Sequence, residues 1–225
     1  MNEKINILDV KIDDYTAKEA MKKTVSYMKT EPINIVEMVT VDTLMRAQQD
    51  EELQESMKSL DMILAGEKEI LEAAEVTDYR HLQEVETKTF LKMFFRFLHK
   101  NHCRIFVLVE TDEEVEELYE FLSDAYSGIQ IAGMAKVSEE DRADDLVVNA
   151  VNGDEVDCVL AALSAPVQEK FAARNKSLLN ARVWLGVGKT IRPISRTGGN
   201  RNRFMQFLTR RIFKREIQKN RKEIS

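Results

Sequence analysis

Four short groups of small and polar residues follow strongly apolar segments of the chain, and their residue types suit ligand binding. The groups are Thr40-Val41-Asp42, Ala65-Gly66-Glu67, Leu163–Glu169 and Gly186–Thr190. In the third group Pro166 begins a predicted helix, so loop N–H groups and the amide of Gln168 can receive a polar ligand. Glu169 lies in the first turn of this helix, where an acidic side chain stabilises the helix even without a ligand. In the fourth group a Gly-Val-Gly sequence allows the backbone to approach a ligand or a neighbouring helix closely.

The segment "LGVGKT" (185–190) is close to two nucleotide-binding patterns but fits neither. A phosphate-binding loop needs a glycine five residues before Gly188, where this chain has Val183. The dinucleotide pattern G-x-G-x-x-G fails as well, because Ile191 stands at its third glycine. We therefore expect neither of these phosphate-binding loops.

Two histidines and a cysteine lie close enough together in the sequence to suggest a metal site. They are His99, His102 and Cys103. Three ligands at one helix end, with no second cluster elsewhere, make a poor zinc site. A cationic histidine favoured by the dipole at a helix C-terminus explains them better, and we expect no metal. The preceding aromatic segment "FLKMFFRFL" (90–98) has Phe and Leu at helical spacing, which indicates a core-facing helix.

The apolar segments alternate with helical patterns along the chain. Strands are predicted at Ile5–Val10, Ile33–Val41, Leu60–Ala65, Arg104–Val109, Ile129–Met134, Val156–Ala162 and Ala181–Val187. Helices are predicted near 16–29, 42–57, 67–75, 87–100, 112–125, 139–151 and 165–177. Thr16 with Glu19, and Thr111 with Glu114, fit the capping box. The alternation indicates an α/β fold, a Rossmann-like and mostly parallel sheet with helices on both faces, which binds ligands at the carboxyl ends of its strands.

The charge of the chain is unevenly distributed. Its 225 residues carry a net charge of −6, yet residues 196–225 contain ten Lys and Arg against two Glu, so residues 1–195 carry −14. We predict a Rossmann-like domain over residues 1–195 and a basic, amphipathic C-terminal helical appendage over residues 196–225.

The basic appendage indicates an anionic partner. Its apolar positions between Phe204 and Ile217 fit two compatible arrangements. In one, a helix docks on the body with a solvated basic face; in the other, a basic amphipathic helix lies on an anionic membrane surface. Nucleic acid is disfavoured as a partner, because the acidic body would repel it and no recognition motif is present.

The remaining bulk features favour the cytoplasm. Cys103 and Cys158 each begin an apolar segment, and two core thiols in a reducing compartment are favoured over a disulfide, which the sequence leaves open. The segment Ile5–Val10 is too short and too charged in its surroundings for a secretory signal. No apolar run approaches the roughly 20 residues of a membrane span.

Taken together, the four strand ends resemble the WecG/TagA/CpsF family of bacterial glycosyltransferases, from about Ile33 to Ala181 and more loosely in the tail. "VTVDTLMRAQQDEEL" is similar to the family segment T-x-N and its helix, and "ILAGEKEILEAA" to the strand that ends in D-G-x-G. "LSAPVQEKF" resembles G-x-P-K-Q-E, the most specific match, and "LGVG" resembles V-G-G. The resemblance implies transfer of N-acetylmannosamine or a related HexNAc sugar from a UDP-sugar donor to a lipid-diphosphate-linked acceptor. It places the chain in the synthesis of cell-wall polysaccharide such as teichoic acid, with no cofactor and no required metal.

The resemblance also implies roles for individual residues. The substrate-binding set is Thr40, Asp42, Gly66, Ser164, Pro166, Gln168, Glu169, Gly186 and Gly188. Arg210, Arg211 and Arg215 are implied counterparts of the tail arginines that approach the acceptor diphosphate at the membrane. Guanidinium groups suit this task because they bind a diphosphate bidentately. The protein would then work in the cytoplasm, peripherally on the inner face of the membrane, and the sequence leaves a homo-oligomer open.

The chain departs from the family pattern at several of these positions. Ala65 stands where the family has the aspartate thought to act as general base, and a methyl group cannot take a proton. At the other departures, three family glycines are replaced by Lys68, Ser164 and Thr87. The family asparagine, lysine and arginine are replaced by Asp42, Val167 and Glu84, in that order. Two hypotheses therefore stay open. In the first, the chain is an active transferase in which Asp42 or Glu67 replaces the missing base. In the second, it is a non-catalytic relative that binds a nucleotide-sugar or regulates an active transferase.

Overall fold

Residues 4–138, 144–191 and 212–219 are described by a computed structural model, and they form an α/β fold around one parallel sheet. A two-stranded hairpin precedes the sheet and consists of β1 (Lys4–Ile7) and β2 (Val10–Asp13). The sheet strands are β3 (Asn34–Val39), β4 (Met62–Ala65), β5 (Arg104–Val109), β6 (Gln130–Lys136), β7 (Cys158–Ala161) and β8 (Val183–Gly186).

Helices connect the strands and cover both faces of the sheet. The first five are α1 (Ala17–Tyr27), α2 (Val41–Ala47), α3 (Glu51–Lys58), α4 (Lys68–Ala73) and α5 (Tyr79–Glu86). The next four are α6 (Thr89–Lys100), α7 (Asp112–Ala125), α8 (Asp144–Gly153) and α9 (Val167–Asn175). A 3₁₀ turn at Gly188–Ile191 follows β8, and a further helix, α10, covers residues 212–219.

The sheet has the strand order β4-β3-β8-β7-β5-β6, and every neighbouring pair is parallel. The connection after β5 leads outward to β6, whereas the connection after β7 leads the other way to β8. The order therefore reverses between β5 and β7, and in open α/β sheets such a reversal opens a crevice at the carboxyl ends of the strands. The predicted Rossmann-like fold is confirmed.

Two apolar clusters fill the space on the two faces of the sheet, because successive side chains of a strand point to opposite sides. In β3, Ile35 and Val39 belong to the first cluster and Val36 and Met38 to the second. The first cluster includes side chains of α3 and α9, and the second includes side chains of α1, α6 and α7. The aromatic helix near residues 90–98 lies in the second cluster, as its spacing predicts.

The predicted N-terminal strand is wrong in its extent and in its partner. Ile5–Val10 is interrupted by a turn at Leu8 and Asp9, which both have positive φ angles of 51° and 64°. The chain turns back there into an antiparallel hairpin instead of joining the main sheet. Asp13 at the end of β2 then accepts a hydrogen bond from the N–H of Ile63 at 3.0 Å, which occupies a backbone donor of the edge strand β4.

The predicted helices 42–57 and 87–100 are also altered. The first is two helices, because the carboxylate of Asp50 accepts from the Leu53 N–H at 3.0 Å and starts α3 anew. Ahead of the second lies α5, which the sequence analysis missed. The capping box of Thr16 and Glu19 is present in full. At α7 Thr111 accepts from the Glu114 N–H at 3.2 Å, whereas the Glu114 carboxylate accepts from the neighbouring Glu110 N–H at 2.9 Å.

The predicted cationic histidine at the end of α6 is wrong for His99. Its Nδ1 accepts a hydrogen bond from the N–H of Gly128 at 2.9 Å. A nitrogen that accepts a hydrogen bond carries no proton, so the ring serves as a neutral acceptor. Cys103 and Cys158 are both buried, free thiols, which agrees with the preferred prediction.

Candidate functional site

The four groups singled out in the sequence meet along one edge of the sheet. They follow β3, β4, β7 and β8, and these four strands are contiguous in the strand order. Because all four strands run parallel, their carboxyl ends lie at the same edge. The structure thus brings Thr40–Asp42, Ala65–Glu67, Ser164–Glu169 and Gly186–Gly188 into one region.

Thr40 and Asp42 begin helix α2 at the end of β3. The Thr40 hydroxyl is the N-cap and accepts from the Thr43 N–H at 3.1 Å. Asp42 is exposed, and one of its oxygens accepts from Nε of Arg46 at 2.8 Å, one helical turn later. This ion pair offsets the negative charge that the chain carries where the family has a neutral asparagine.

Gly66 and Glu67 follow β4, and both serve local structure. A Cβ atom at Gly66 would lie 2.6 Å from the carbonyl oxygen of Val39, so the close approach of β3 and β4 requires glycine there. The Glu67 carboxylate accepts from the N–H of Val41 at 2.8 Å, which is an otherwise unpaired donor in the first turn of α2. One oxygen of Glu67 therefore anchors the start of α2.

A solvent-open cleft of about 410 Å³ lies beside Ala65, between the hairpin, α1 and the α5–α6 corner. Its floor is apolar and its rim is polar; the polar residues that line it are Asp13, Tyr15, His81, Glu84 and Lys88. Neither Asp42 nor Glu67 lines this cleft. Ala65 does, with 8% of its surface exposed, so its methyl group faces the cleft.

The rim groups of the cleft are engaged with backbone atoms. Glu84, at the position of the family arginine, accepts from the Ala17 N–H at 2.8 Å and caps the start of α1. Lys88 donates to the carbonyl oxygen of Gly66. His81 is buried and donates from Nε2 to the carbonyl of Tyr15 at 3.0 Å. Each of these side chains thus stabilises a wall of the cleft.

The side chain of Gln168 lies at the carboxyl ends of β3, β7 and β8 and is buried, with 2% of the residue's surface exposed. Its Oε1 accepts from the N–H of Leu163 at 3.3 Å and from the N–H of Gly188 at 3.1 Å. Its Nε2 donates to Oε2 of Glu37 at 2.6 Å. One side chain thereby connects β3 with the loops that follow β7 and β8, and it points into the protein.

Glu37 is fully buried within β3, in a place that only a glycine at position 186 leaves open. A Cβ atom at Gly186 would lie 1.8 Å from Oε2 of Glu37. Burial and then the nearby Glu169 carboxylate raise the pKa of Glu37 well above its usual range, against the opposing effect of the Trp184 and Gln168 side chains. Trp184 Nε1 and Glu37 Oε1 make no hydrogen bond of good geometry with any described residue.

Glu169 is the second buried carboxyl of this region, with 1% of its surface exposed. Burial, with a smaller effect of the Asp42 charge, raises the pKa of Glu169 to about 7, although the backbone of α9 and Arg46 act in the opposite direction. A carboxyl with such a pKa exchanges its proton near neutral pH. Pro166 is the N-cap residue of α9 and follows a cis peptide bond, so the helix begins one residue after the predicted start at Pro166.

An ion-pair network lies at the crevice between β5 and β7. Lys189 Nζ contacts Glu110 and Glu114, each at 2.7 Å, and the carbonyl oxygen of Ala162 at 3.1 Å. An ammonium group has three donors, and all three are used. Ser164 donates to Glu110 from both its N–H and its hydroxyl. Burial alone would raise the pKa of Glu110, but the hydrogen bonds from Lys189 and Ser164 outweigh it and lower that pKa.

The predicted tail arginines are only partly described. Arg210 and Arg211 lie outside the described residues, and Arg215 is exposed on α10. Phe213 and Ile217 of α10 are buried in the first apolar cluster, so the apolar side of this helix packs on the body. Lys214, like Arg215, is exposed to solvent.

Sequence reasoning missed several groups that shape the site. Glu37, Glu110, Lys88 and Lys189 were not singled out. A signal for Glu37 was present, because a charged residue in the middle of the apolar segment "INIVEMV" is unusual for a buried strand and demands a partner.

The described ranges contain no cluster of three His, Cys, Asp or Glu side chains suited to a metal ion. No helix within those ranges is long and apolar enough to cross a bilayer.

The chain belongs to the glycosyl transferase WecG/TagA/CpsF family, whose model matches residues 5–219. The match extends beyond the Ile33–Ala181 segment over which the motifs are recognisable, and it includes the hairpin and α10. Among curated proteins, none matches the chain at a significant level.

Proposed function

We propose that the chain transfers a HexNAc-type sugar from a UDP-sugar to a lipid-diphosphate-linked acceptor in the synthesis of a cell-surface polysaccharide. The observation that carries this proposal is the family match over residues 5–219. The four motif segments of the family lie along one edge of the sheet, where α/β folds bind their ligands. The donor binds beside Thr40, Gln168 and Gly188, and the acceptor approaches the cleft beside Ala65.

The catalytic centre of this transferase is degenerate, and Ala65 is the reason. Removal of a proton from the acceptor hydroxyl by a positioned base contributes roughly 10²–10⁴-fold to such a reaction. Asp42 and Glu67 are the candidate substitutes, each held by a single hydrogen-bonded oxygen. Both lie outside the cleft lining, so the activity of the chain is expected to be low.

The same observations favour a second candidate function. A chain that keeps the fold and a nucleotide-sugar pocket but lacks the base can serve as a binding or regulatory partner of an active transferase. The departure at Ala65 supports this alternative, because neither Asp42 nor Glu67 lines the cleft in its place.

The experiment incubates the chain with UDP-HexNAc and a lipid-diphosphate acceptor and measures UDP release, with UDP binding measured by calorimetry. Turnover that is lost in Asp42→Asn or Glu67→Gln identifies the base and refutes the non-catalytic function. UDP binding without turnover refutes the transferase and supports the binding partner.

Restoring the family aspartate provides a sharper form of the same test. We expect Ala65→Asp to raise turnover by about 10²-fold, because it places a proton acceptor in the cleft lining. Ala65→Asn is the matched control, since its side chain has nearly the same shape but cannot act as a base. Equal turnover of the two variants would contradict the assignment of this position.

The proposed acceptor lies on a membrane, and α10 is the described segment that can meet it. With its apolar side packed on the body, α10 contributes charge and not insertion, so binding to anionic vesicles should weaken with salt. Lys214→Glu with Arg215→Glu should reduce co-sedimentation with phosphatidylglycerol vesicles, whereas the exposed Lys18→Glu on α1 should change it less. Equal reductions would refute a specific role of α10.

A further inference from the structure

The buried Glu37 has no role in the family resemblance, yet it contacts the side chain that joins two site loops. Gln168 Nε2 donates to Glu37 Oε2 at 2.6 Å, which is a short distance for an N–H···O bond. The other end of the same amide accepts from two backbone N–H groups, those of Leu163 and Gly188. These N–H groups begin the loops after β7 and β8, so both loops depend on the orientation of one amide.

The orientation of that amide is determined by what Glu37 offers it. A glutamine amide presents an acceptor at one end and donors at the other, and a flip exchanges them. If it flipped, its NH₂ group would face the two backbone N–H donors and its oxygen would face the Glu37 carboxyl. An acceptor oxygen at position 37 therefore favours the orientation in which both loops are held.

We propose that Glu37 is a positioning residue that fixes the orientation of the Gln168 amide through an acceptor oxygen and not through its charge. By fixing this amide, Glu37 holds the ends of β7 and β8 together at the site. The surroundings of Glu37 support an uncharged role. It is completely buried near a second buried carboxyl, Glu169, and two adjacent carboxylates in such a place are costly to ionise together. A neutral carboxylic acid still offers its carbonyl oxygen to Gln168.

The unpaired oxygens of this region also favour an uncharged Glu37. Glu37 Oε1 and Glu169 Oε2 are buried and have no hydrogen-bond partner among the described residues. A buried carboxyl oxygen without a donor is less costly when the group is neutral than when it is ionised. Gly186 completes the arrangement, since any larger residue would occupy the space of the Glu37 carboxyl.

The test compares amide hydrogen exchange, residue by residue, in variants of the full chain. Glu37→Met removes the acceptor while keeping the side-chain length, and we expect the Leu163 and Gly188 amides to exchange at least 10-fold faster. Glu37→Gln keeps an acceptor oxygen without the charge, and it should retain the protection of both amides. Ile35→Val lies on the same face of the same strand and controls for general loosening of the core.

Three results would overturn the proposal: unchanged protection in Glu37→Met, equally fast exchange in Glu37→Gln, or equally fast exchange in Ile35→Val. If Glu37→Met does not fold, Gln168→Met removes the amide itself and must give the same acceleration at Leu163 and Gly188. The consequence for the site rests on the proposed function, and UDP binding tests it. Glu37→Gln should bind UDP at least 10-fold more tightly than Glu37→Met. A wild-type chain that binds no UDP would refute the proposed function and leave the amide-exchange result standing.

Discussion

The buried carboxyl of Glu169 predicts that the protein loses stability as the pH rises towards neutrality. In the unfolded chain this carboxyl releases its proton near the ordinary pKa of 4.5, whereas in the folded protein it keeps the proton until about pH 7. Between these values the folded state binds more protons, so the free energy of unfolding falls with rising pH. The stabilisation from this group is fully present below pH 4.5 and is lost above about pH 7.

The size of the effect follows from the shift. Each pKa unit corresponds to about 1.4 kcal/mol, so a change from 4.5 to about 7 amounts to about 3 kcal/mol. Since Glu169 is 1% exposed, solvent screening reduces this value little. The total stability of a domain is commonly about 5–15 kcal/mol, which makes the contribution easy to measure.

Urea unfolding of the wild type and of Glu169→Gln between pH 5 and 8 provides the assay. Glutamine keeps the shape and cannot ionise, so the variant should exceed the stability of the wild type by less than about 1 kcal/mol near pH 5 and by about 3 kcal/mol near pH 7.5. The variant also removes the neighbouring charge that raises the pKa of Glu37, an effect of the same sign. Glu120→Gln on the exposed side of α7 is the control and should follow the wild type at every pH.

Two outcomes would refute this reasoning. A wild-type stability that is constant from pH 5 to pH 7.5 would mean that Glu169 is ionised throughout, as an exposed carboxyl would be. A variant with the same pH dependence as the wild type would mean that another group titrates. In either case the neutral state inferred for the buried carboxyl pair would be wrong.

Two further predictions concern the packing of the site. Gly186→Ala should lower the free energy of unfolding by about 1–3 kcal/mol, because the added Cβ atom would displace the Glu37 carboxyl. Gly153→Ala is the control and should be neutral, because its Cβ atom would meet nothing within 4 Å. Equal effects of the two substitutions in thermal unfolding would contradict the assigned contact. Lys189→Met should cost about 2 kcal/mol in urea unfolding, because two partly buried glutamates lose the ammonium group that balances their charge and keep only their hydrogen bonds. Lys136→Met at an exposed ion pair should cost no more than about 0.5 kcal/mol, and the same small cost at both positions would show that the crevice network is dispensable.

The sequence was sufficient for the fold because the strands are apolar and the helices carry their own start signals. Six predicted strands occur in the sheet, and the Thr16–Glu19 capping box is present. The hairpin was missed because four of the six residues of Ile5–Val10 are apolar and predict one strand, although the segment contains a turn whose residues adopt positive φ angles. Asp9 is a residue type that turns favour, but Leu8 beside it gives no such signal.

The site was harder to predict because its contacts join residues far apart in the chain. The positions of the strand ends followed from the alternation of strands and helices, and the structure agrees with them. What each side chain does there depends on partners that no local pattern reveals. Glu67 caps the N–H of Val41, 26 residues earlier, and Glu37 bonds Gln168 across 131 residues.

Two carboxylates near the cleft are engaged at helix starts. Glu84 holds the start of α1, and Glu67 holds the start of α2. A carboxylate oxygen that accepts a backbone N–H in a helix start cannot leave it without exposing an unpaired donor, at a cost of about 1–3 kcal/mol. The carboxylates that line the cleft, Asp13 and Glu84, are held in the same way by the N–H groups of Ile63 and Ala17. Ala65 makes no polar contact through its side chain, so the proposed Ala65→Asp exchange adds a carboxylate to the cleft lining without breaking an existing bond.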